Sequence, residues 1–178
     1  MNSRIKENCL LLLPIFCIIA SAYISFEFEF NQGLIPFTAQ SLVIFVIAGL
    51  MSPLQLTITL IIYLLLGAFG LPVFADGTGG IERIMGPSGG FLYGFLFSGL
   101  FISSRISKTL NLKTIILIML AGTIVLFLFG LTHLSYKIGF YAAVEFGLKP
   151  FWLMAILKAL LAAIMVYFMK KWSLNESK

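Results

Sequence analysis

The chain has 178 residues, of which 60% are hydrophobic and 11% are charged, and its mean hydropathy is +1.06. A soluble domain is usually about 45–50% apolar and about 25% charged, so a soluble fold is excluded because too few polar residues are present to cover its surface. The net charge of +5 does not indicate nucleic-acid binding, because the basic residues lie at the ends of apolar runs, where lipid headgroups are the simpler partners.

The apolar residues form long continuous runs and not the alternating ten-residue segments of an outer-membrane barrel, so helices are the expected spanning elements. A spanning helix needs about 20 apolar residues. Six runs approach this length: Cys9–Phe26, Phe37–Met51, Leu54–Leu71, Gly89–Ser103, Ile115–Leu134 and Phe151–Phe168. The predicted fold is therefore all-α, a single transmembrane domain over residues 1–178 with six transmembrane helices, in which Ser52-Pro53 forms a tight turn.

The Lys and Arg residues are distributed unevenly between the predicted loops. With the N-terminus in the cytoplasm, eight lie on the cytoplasmic side: Arg4, Lys6, Arg105, Lys108, Lys113, Lys170, Lys171 and Lys178. Three lie on the opposite side: Arg83, Lys137 and Lys149. This asymmetry predicts a multi-pass membrane protein with both termini cytoplasmic.

The first apolar run has an alternative interpretation as a signal peptide. Arg4 and Lys6 precede it, and Ala20-Ser21-Ala22 resembles a cleavage site. The transmembrane interpretation is favoured because the apolar run continues past that site to Phe26. Removal of the segment would also leave five helices and would place one terminus on the wrong side.

A glycine-rich segment follows the third predicted helix. Seven of the 16 glycines fall within residues 70–90, Gly79 and Gly80 among them. A simple connector between helices needs only a few residues, so about 18 residues of loop predict an external lid or binding segment, with a connector of no function as the alternative. Within it, Ile81-Glu82-Arg83-Ile84 predicts a short turn of helix. The segment lacks the Lys-Ser/Thr pair of a phosphate-binding loop.

Lys158 lies about eight residues, or roughly 12 Å, into the sixth predicted helix, close to the membrane centre. A charge at that depth costs about 2.5–3.5 kcal/mol and usually faces the bundle interior. The same helical stripe carries Phe151, Met154, Ala155, Ala162 and Met165, and it is predicted to face inward. No acid lies within another predicted span, so Lys158 is predicted to bind an anionic ligand group such as a carboxylate. The alternative is a lysine that only holds helices together.

The segment Pro36-Phe37-Thr38-Ala39-Gln40 places a hydroxyl and an amide at the external entrance of the second predicted helix. A cyclic urea or amide ligand would supply the donor and the acceptor that such groups need in hydrocarbon. The alternative is an ordinary helix start, in which Thr38 caps the helix and Gln40 reaches solvent.

No catalytic or metal-binding set is apparent in the sequence. His133 is the only histidine, with no Cys or acid at metal spacing and no nucleophile motif beside it. Cys9 and Cys17 lack metal-site spacing and are interpreted as small packing residues. Because no Walker motif is present, ATP hydrolysis by that route is not expected in this chain.

Three elements resemble, in order, the signature of the biotin transporter S components, the BioY family. The longest is Tyr63-Leu-Leu-Leu-Gly-Ala-Phe-Gly-Leu-Pro-Val-Phe74, followed by Gly79-Gly80 and Gly86-Pro-Ser-Gly-Gly-Phe91. The others are Pro36-x-Thr38-x-Gln40, and Pro150-Phe151 followed by Leu157-Lys158-Ala159. The resemblance extends from about residue 10 to residue 170.

This resemblance implies a substrate-binding subunit of an energy-coupling factor transporter in the bacterial cell (inner) membrane, which is not an enzyme. Such a subunit binds biotin with high affinity near the external face and works with a separate membrane subunit and two cytoplasmic ATPases. Biotin is its transported ligand, and no cofactor is implied. The implied ligand-binding residues are Thr38, Gln40, Phe74, Gly79, Gly80, Arg83, Phe91 and Lys158. The implied partner-docking residues are Cys17, Ser21 and Ser25, which recur every four residues, a spacing that allows close helix approach.

The chain departs from the family pattern at several positions. Ala155 stands where the family usually has an acid, three residues before Lys158, on the same helix face. The charge of Lys158 is then balanced by ligand alone, with altered affinity or a related solute as alternatives. Met51-Ser-Pro-Leu54 replaces the usual basic pair, and Phe91 replaces a tyrosine. Three alternative hypotheses remain: an S component for another small vitamin or precursor, a membrane-embedded transferase, and a purely structural subunit.

Overall fold

A computed structural model describes residues 3–30, 33–106 and 110–176, with side chains from residue 12 onward except at 27–36. The side chains of Arg4, Lys6 and Cys9, and the whole of Lys108 and Lys178, therefore lie outside the described residues. Within these ranges the chain forms α1 (Ser3–Ala22), β1 (Ser25–Phe30), β2 (Gly33–Thr38), α2 (Gln40–Leu50), α3 (Pro53–Ala68), α4 (Ile81–Met85), α5 (Gly89–Ile106), α6 (Leu112–Ile138), α7 (Phe140–Ala143) and α8 (Trp152–Glu176).

Three helices in the described part of the chain are long and apolar enough to cross a membrane, namely α5, α6 and α8. Three shorter apolar helices accompany them: Leu12–Ala22 within α1, Gln40–Leu50 and Pro53–Ala68. At 1.5 Å per residue, the 11 residues of α2 extend over roughly 16 Å, well short of a bilayer core. The chain is thus a bundle of apolar helices of unequal length.

A β-hairpin replaces the adjoining ends of the first two predicted helices. β1 and β2 are antiparallel, with Ser25 opposite Thr38 and Phe30 opposite Gly33. The predictions that the first helix extends to Phe26 and that the second begins at Phe37 are therefore wrong. Phenylalanine and glutamate alternate along 26–30, which is the period of a strand and not of a helix.

Two of the other helices, α3 and α6, begin with polar side chains that form hydrogen bonds with free backbone N–H groups of the first turn. Ser52 and Gln55 form a reciprocal capping box at the start of α3, and the side chain of Asn111 accepts a hydrogen bond from the Lys113 amide at 2.9 Å. α6 consequently begins before the predicted Ile115. α8 continues past the predicted Phe168 to Glu176, because lysine, serine and leucine sustain a helix without an apolar face.

The helices pack as a closed ring. α1 contacts α2 and α3, α3 contacts α5, α5 contacts α6, α6 contacts α8, and α8 contacts α2, while α2 and α5 also meet across the ring. Small residues permit the closest approach: a Cβ atom on Gly90 of α5 would lie 2.7 Å from the Phe129 carbonyl oxygen of α6. Because lipid tails are as apolar as the helices, such close packing is what holds them together.

The glycine-rich segment between α3 and α5 is folded against the end of α3. The Gly80 amide donates to the Gly67 carbonyl at 2.7 Å, with Gly80 at a φ of +99° that favours glycine. The Phe74 amide donates to the Thr78 carbonyl at 2.9 Å. The predicted turn of helix within the segment is confirmed as α4. The segment thus forms an ordered cap over one end of the bundle.

The proposed docking stripe on the first helix is only partly helical. α1 ends at Ala22, so Ser25 lies in β1 and does not share a helix face with Cys17 and Ser21. Ser21 is buried and its hydroxyl donates to the Ile18 carbonyl at 2.7 Å, whereas Cys17 is half-buried. The prediction that three small residues share one helix face is therefore wrong at Ser25. A docking role stays a prediction for Cys17 and Ser21.

Candidate ligand-binding site

Two adjoining cavities lie where the first turns of α2, α5 and α8 meet. The lysine cavity, of about 150 Å³, is lined by Lys158, Ser41, Met154, Ala155 and surrounding aromatic residues. The loop cavity, of about 220 Å³, lies beneath the glycine-rich segment. Both are lined by Thr38, Phe91, Phe95 and Phe151. One elongated site is thus available, with different chemistry at its two ends.

Lys158 supplies the cationic end of this site. Its half-buried ammonium donates to the Thr38 carbonyl at 2.7 Å and lies 5.6 Å from the centroid of the Phe37 ring. Among the side chains that the structure describes, no acid forms an ion pair with it. The lysine therefore bridges α8 to β2 through a neutral carbonyl, which brings no counter-charge of its own.

The stripe predicted to accompany Lys158 faces inward only in part. Phe151, Met154 and Ala155 line the lysine cavity, and Ala162 is fully buried. Met165 is 45% exposed, so the prediction is wrong at that position. α8 buries its small residues Ala159, Ala162 and Ala163 and Val166 instead, and Met165 lies beside that contact face.

Thr38 and Gln40 both reach the site, but neither acts as an ordinary helix start. The residue before α2 is Ala39, which makes no side-chain cap, so the alternative in which Thr38 caps the helix is wrong. Gln40 is 2% exposed, so it does not reach solvent either, and its amide nitrogen donates to the Tyr63 hydroxyl at 2.7 Å. Tyr63 of α3, which begins the longest family-like motif but was not predicted as a site residue, thereby orients Gln40.

The loop residues divide between lining the site and shaping the segment. Phe74 and Arg83 line the loop cavity, and the buried Phe74 ring meets the Tyr63 ring edge-on with centroids 5.5 Å apart. Gly79 and Gly80 are not among the lining residues. Gly79 packs against the backbone of Leu71, and Gly80 begins α4, so these glycines fold the segment instead of facing the cavity.

Aromatic rings form the walls of both cavities. Phe91, which was predicted, lines both and lies edge-on to Phe127 with centroids 6.1 Å apart. Phe37 and Phe151, with centroids 5.0 Å apart, were not predicted as site residues. The signal for them was present, since both lie in the motifs that contain Thr38 and Lys158. Such flat apolar walls suit a ring or an alkyl chain.

The loop cavity also holds polar groups that sequence reasoning missed. Asp76, Thr78 and Ser88 line it together with Arg83 and Gln40. Asp76 has a φ of 60°, a left-handed conformation that aspartate tolerates better than most residues, in a tight turn over Ala75–Gly77. Its Asp-Gly pair is a turn signal, but the direction of the turn toward the cavity depends on how the whole segment folds.

His133 is not among the residues that line either cavity, but it anchors the end of the glycine-rich segment. Its Nε2 atom lies 2.9 Å from the Gly86 carbonyl, and since a carbonyl only accepts, Nε2 carries the proton. Tyr93 packs edge-on against the His133 ring, and the Tyr93 hydroxyl donates to the Ile84 carbonyl at 3.1 Å. These contacts hold the turn between α4 and α5 to α6. No group of three metal-ligating side chains occurs among the described residues.

A third space, the outer groove, is larger than either cavity but has a mostly apolar lining. It measures about 710 Å³ and lies along the side of α6 and α8. Its lining is apolar apart from the hydroxyls of Thr123, Thr132 and Ser135. Without a charge or a converging set of donors, it cannot orient a polar solute, and the paired cavities are the stronger candidate site.

The paired cavities can hold an elongated, amphipathic anion. One end offers a cation, the middle offers aromatic rings, and the other end offers both donors and acceptors. An anion at Lys158 would compete with the Thr38 carbonyl for the ammonium and would form the stronger, charge-assisted hydrogen bond.

Comparisons with known proteins point in one direction. The family model described as the BioY family matches residues 1–174. The biotin transporter BioY2 of Lactococcus lactis subsp. cremoris is 34% identical over 136 residues, which cover 74% of this chain and 74% of that relative. The biotin transporter BioY of Thermotoga maritima is 30% identical over 155 residues, 86% of this chain and 89% of the relative. A crystal structure of the S-component for biotin from an ECF-type ABC transporter matches with a TM-score of 0.81 and 25% identity, over 96% of this chain and 95% of that one.

Proposed function

Because this chain belongs to the BioY family, we propose that it is the substrate-binding subunit of an energy-coupling factor transporter and captures biotin for import. The observation that carries the proposal is the half-buried ammonium of Lys158 at one end of an aromatic-walled cavity. Relatives that match most of the chain are named biotin transporters, and a similar fold is the S-component for biotin. The chain is then a transporter subunit and not an enzyme.

The biotin carboxylate binds Lys158 in this proposal. Its acyl chain and sulfur-containing ring lie along Phe37, Phe91 and Phe151, which are the apolar walls between the two ends. The ammonium moves from the Thr38 carbonyl to the carboxylate, exchanging a neutral acceptor for a charged one. Ala155 lines the same cavity and brings no competing acid to that lysine.

The ureido ring occupies the loop cavity. A cyclic urea presents two N–H donors and one carbonyl acceptor, which need acceptors and donors from the protein. Asp76 and Thr78 supply acceptor oxygens, and Arg83 and Gln40 supply N–H donors, all from the lining of that cavity. Gly79 and Gly80 contribute by folding the segment into place rather than by direct contact.

The bundle spans the membrane six times in this proposal, with both termini cytoplasmic and the glycine-rich segment external. The supporting observation is that α2, α5 and α8 begin at the ligand site, whereas the Lys170 ammonium donates to the Ile106 carbonyl at the far end of α5. The described basic residues Arg105, Lys113, Lys170 and Lys171 belong to that far end, as the positive-inside rule requires of a cytoplasmic face.

Energy for import comes from other chains. The family resemblance implies that a separate membrane subunit and two cytoplasmic ATPases complete the transporter, and this sequence contains no Walker motif of its own. Of the two residues of the proposed docking stripe that lie on α1, the half-buried Cys17 is the more open to a partner helix.

A direct titration of the purified chain with biotin tests this function. We expect saturable binding at one site per chain, and mass spectrometry of protein purified without added ligand should detect biotin. Absence of binding in lipid nanodiscs, with the protein folded by circular dichroism, would contradict the proposal. Co-purification of a polyprenyl lipid instead would favour a membrane-embedded transferase.

A related solute is the second candidate, because of one observation. Ala155 lines the lysine cavity at the position where an acid would stand beside Lys158, so the cavity is wider and less polar there. A biosynthetic precursor that keeps the ureido ring and the carboxylate would fit the same groups. Competition between biotin and such a precursor decides between them: the ligand that binds tighter is the substrate.

A further inference from the structure

Phe127 lies in a wall that two neighbouring spaces share. Among the described residues, it is the one that lines both the lysine cavity and the outer groove. It is half-buried on α6, and its ring is fixed edge-on against Phe91 at the wall of the ligand site. Phe127 thus contributes to the partition between the ligand site and the side of the bundle.

The two spaces on either side of this partition differ in chemistry. The lysine cavity contains the ammonium that binds an anion, whereas the outer groove is lined by aliphatic and aromatic side chains of α6 and α8 such as Leu128, Trp152 and Ile156. A ligand tail that extended past Phe127 would therefore leave the polar surroundings of Lys158 and enter surroundings that resemble hydrocarbon. An open path between the two spaces would therefore raise the affinity for ligands that carry an apolar tail beyond the acid end, because the tail would be buried there.

We infer that Phe127 is a specificity-determining residue that closes the acid end of the ligand site against the outer groove. It restricts the site to ligands whose acyl chain ends at the carboxylate, and it excludes esters and amides with an alkyl tail. This inference rests on the proposed function, because it assumes that the acid end of biotin lies in the lysine cavity. Phe127 lies outside all the motifs that the sequence presents for the ligand site.

The test compares biotin with its N-hexyl amide by competition titration in lipid nanodiscs. The wild-type chain should prefer biotin by about 100-fold or more, because the amide lacks the anion for Lys158 and its tail meets the Phe127 ring. In Phe127→Ala this preference should fall by about tenfold or more, because the tail gains an apolar path into the outer groove. Phe127→Leu, which keeps apolar bulk, should show a smaller fall and serves if the alanine variant does not fold.

Phe129 provides the matched control. It lies two residues further along α6 and stacks on Phe97 with ring centroids 4.2 Å apart, and it lines neither space. Phe129→Ala removes the same ring and should leave the preference unchanged. A wild-type chain that binds the amide as tightly as biotin, or a preference that stays the same in both Phe127 variants, would overturn the inference. Failure of the wild type to bind biotin would instead contradict the proposed function.

Discussion

Lys158 and Lys170 show how the same residue type acquires different roles on one helix. Each ammonium donates to a backbone carbonyl of another element, Lys158 to Thr38 at 2.7 Å and Lys170 to Ile106 at 2.9 Å. Lys158 faces a cavity with aromatic walls, so a ligand anion can replace the carbonyl. Lys170 does not line a cavity of the ligand site, and its bond satisfies the last carbonyl of α5, which the helix itself leaves unpaired.

Replacement of Lys158 by alanine should weaken biotin binding by about 2–5 kcal/mol, because it leaves the carboxylate desolvated without a counterion. Isothermal titration of purified protein in nanodiscs measures this change. Lys170→Ala is the matched control, since it removes an equivalent bond at the other end of the bundle, and its affinity should equal that of the wild type. Equal affinity of Lys158→Ala and wild type would remove Lys158 from the site.

At the level of elements, the site depends on how the glycine-rich segment is held down. Phe74 inserts its ring against Tyr63 of α3, and Gly80 bonds to Gly67 at the end of the same helix. His133 of α6 holds the opposite end of the segment through Gly86. The segment is thus fixed to two helices, which positions Arg83 of α4 and Asp76 of the preceding turn over the loop cavity.

His133→Ala should lower biotin affinity by about three- to tenfold, the effect of one lost hydrogen bond, because the turn before α5 loses its anchor. His133→Gln, whose amide can donate to the same carbonyl, should restore most of the affinity. The neighbouring Thr132→Ala, which changes a residue of the outer groove, is the control and should bind normally. If the alanine and glutamine variants bind equally, the hydrogen bond to Gly86 is not what holds the segment.

At the scale of the whole molecule, the ring of helices explains why the site lies at one end. α2, α5 and α8 all begin at the cavities, and α2 and α5 meet across the ring below them. Because α2 has only 11 residues, the hairpin β1–β2 continues the chain above it and brings Phe37 and Thr38 over the lysine. The short helix therefore leaves space for the two cavities that we propose as the ligand site.

Both termini should be cytoplasmic if the bundle crosses the membrane six times. Epitope tags at the N- and C-termini should be cleaved by a protease added to inside-out vesicles and protected in intact spheroplasts. A tag inserted at Gly139, after α6, should show the opposite pattern and serves as the control. Cleavage of either terminal tag in spheroplasts would contradict the orientation, and loss of the N-terminal tag from the mature protein would favour the signal-peptide alternative.

Composition and periodicity by themselves determined that the chain is a bundle of apolar helices, because hydropathy reports directly on the solvent that a segment can face. The same local signals identified most helices, the turn of helix at α4, and Lys158 as an isolated charge in an apolar run. The family resemblance added Thr38, Gln40, Phe74, Arg83 and Phe91 as implied site residues, and all five line the cavities.

Only the tertiary structure decided which residues face the same space. The hairpin was missed because its alternating pattern lies next to apolar runs that hydropathy extends into it. Asp76 and Tyr63 lie in segments that local patterns did single out, but their approach to the site, like that of Phe127 to its wall, depends on how the glycine-rich segment folds and how α3, α5 and α6 pack. Hydropathy fixes the environment of each segment, whereas the convergence of side chains from distant segments depends on helix rotation and close packing, which arise only when the ring of helices is complete.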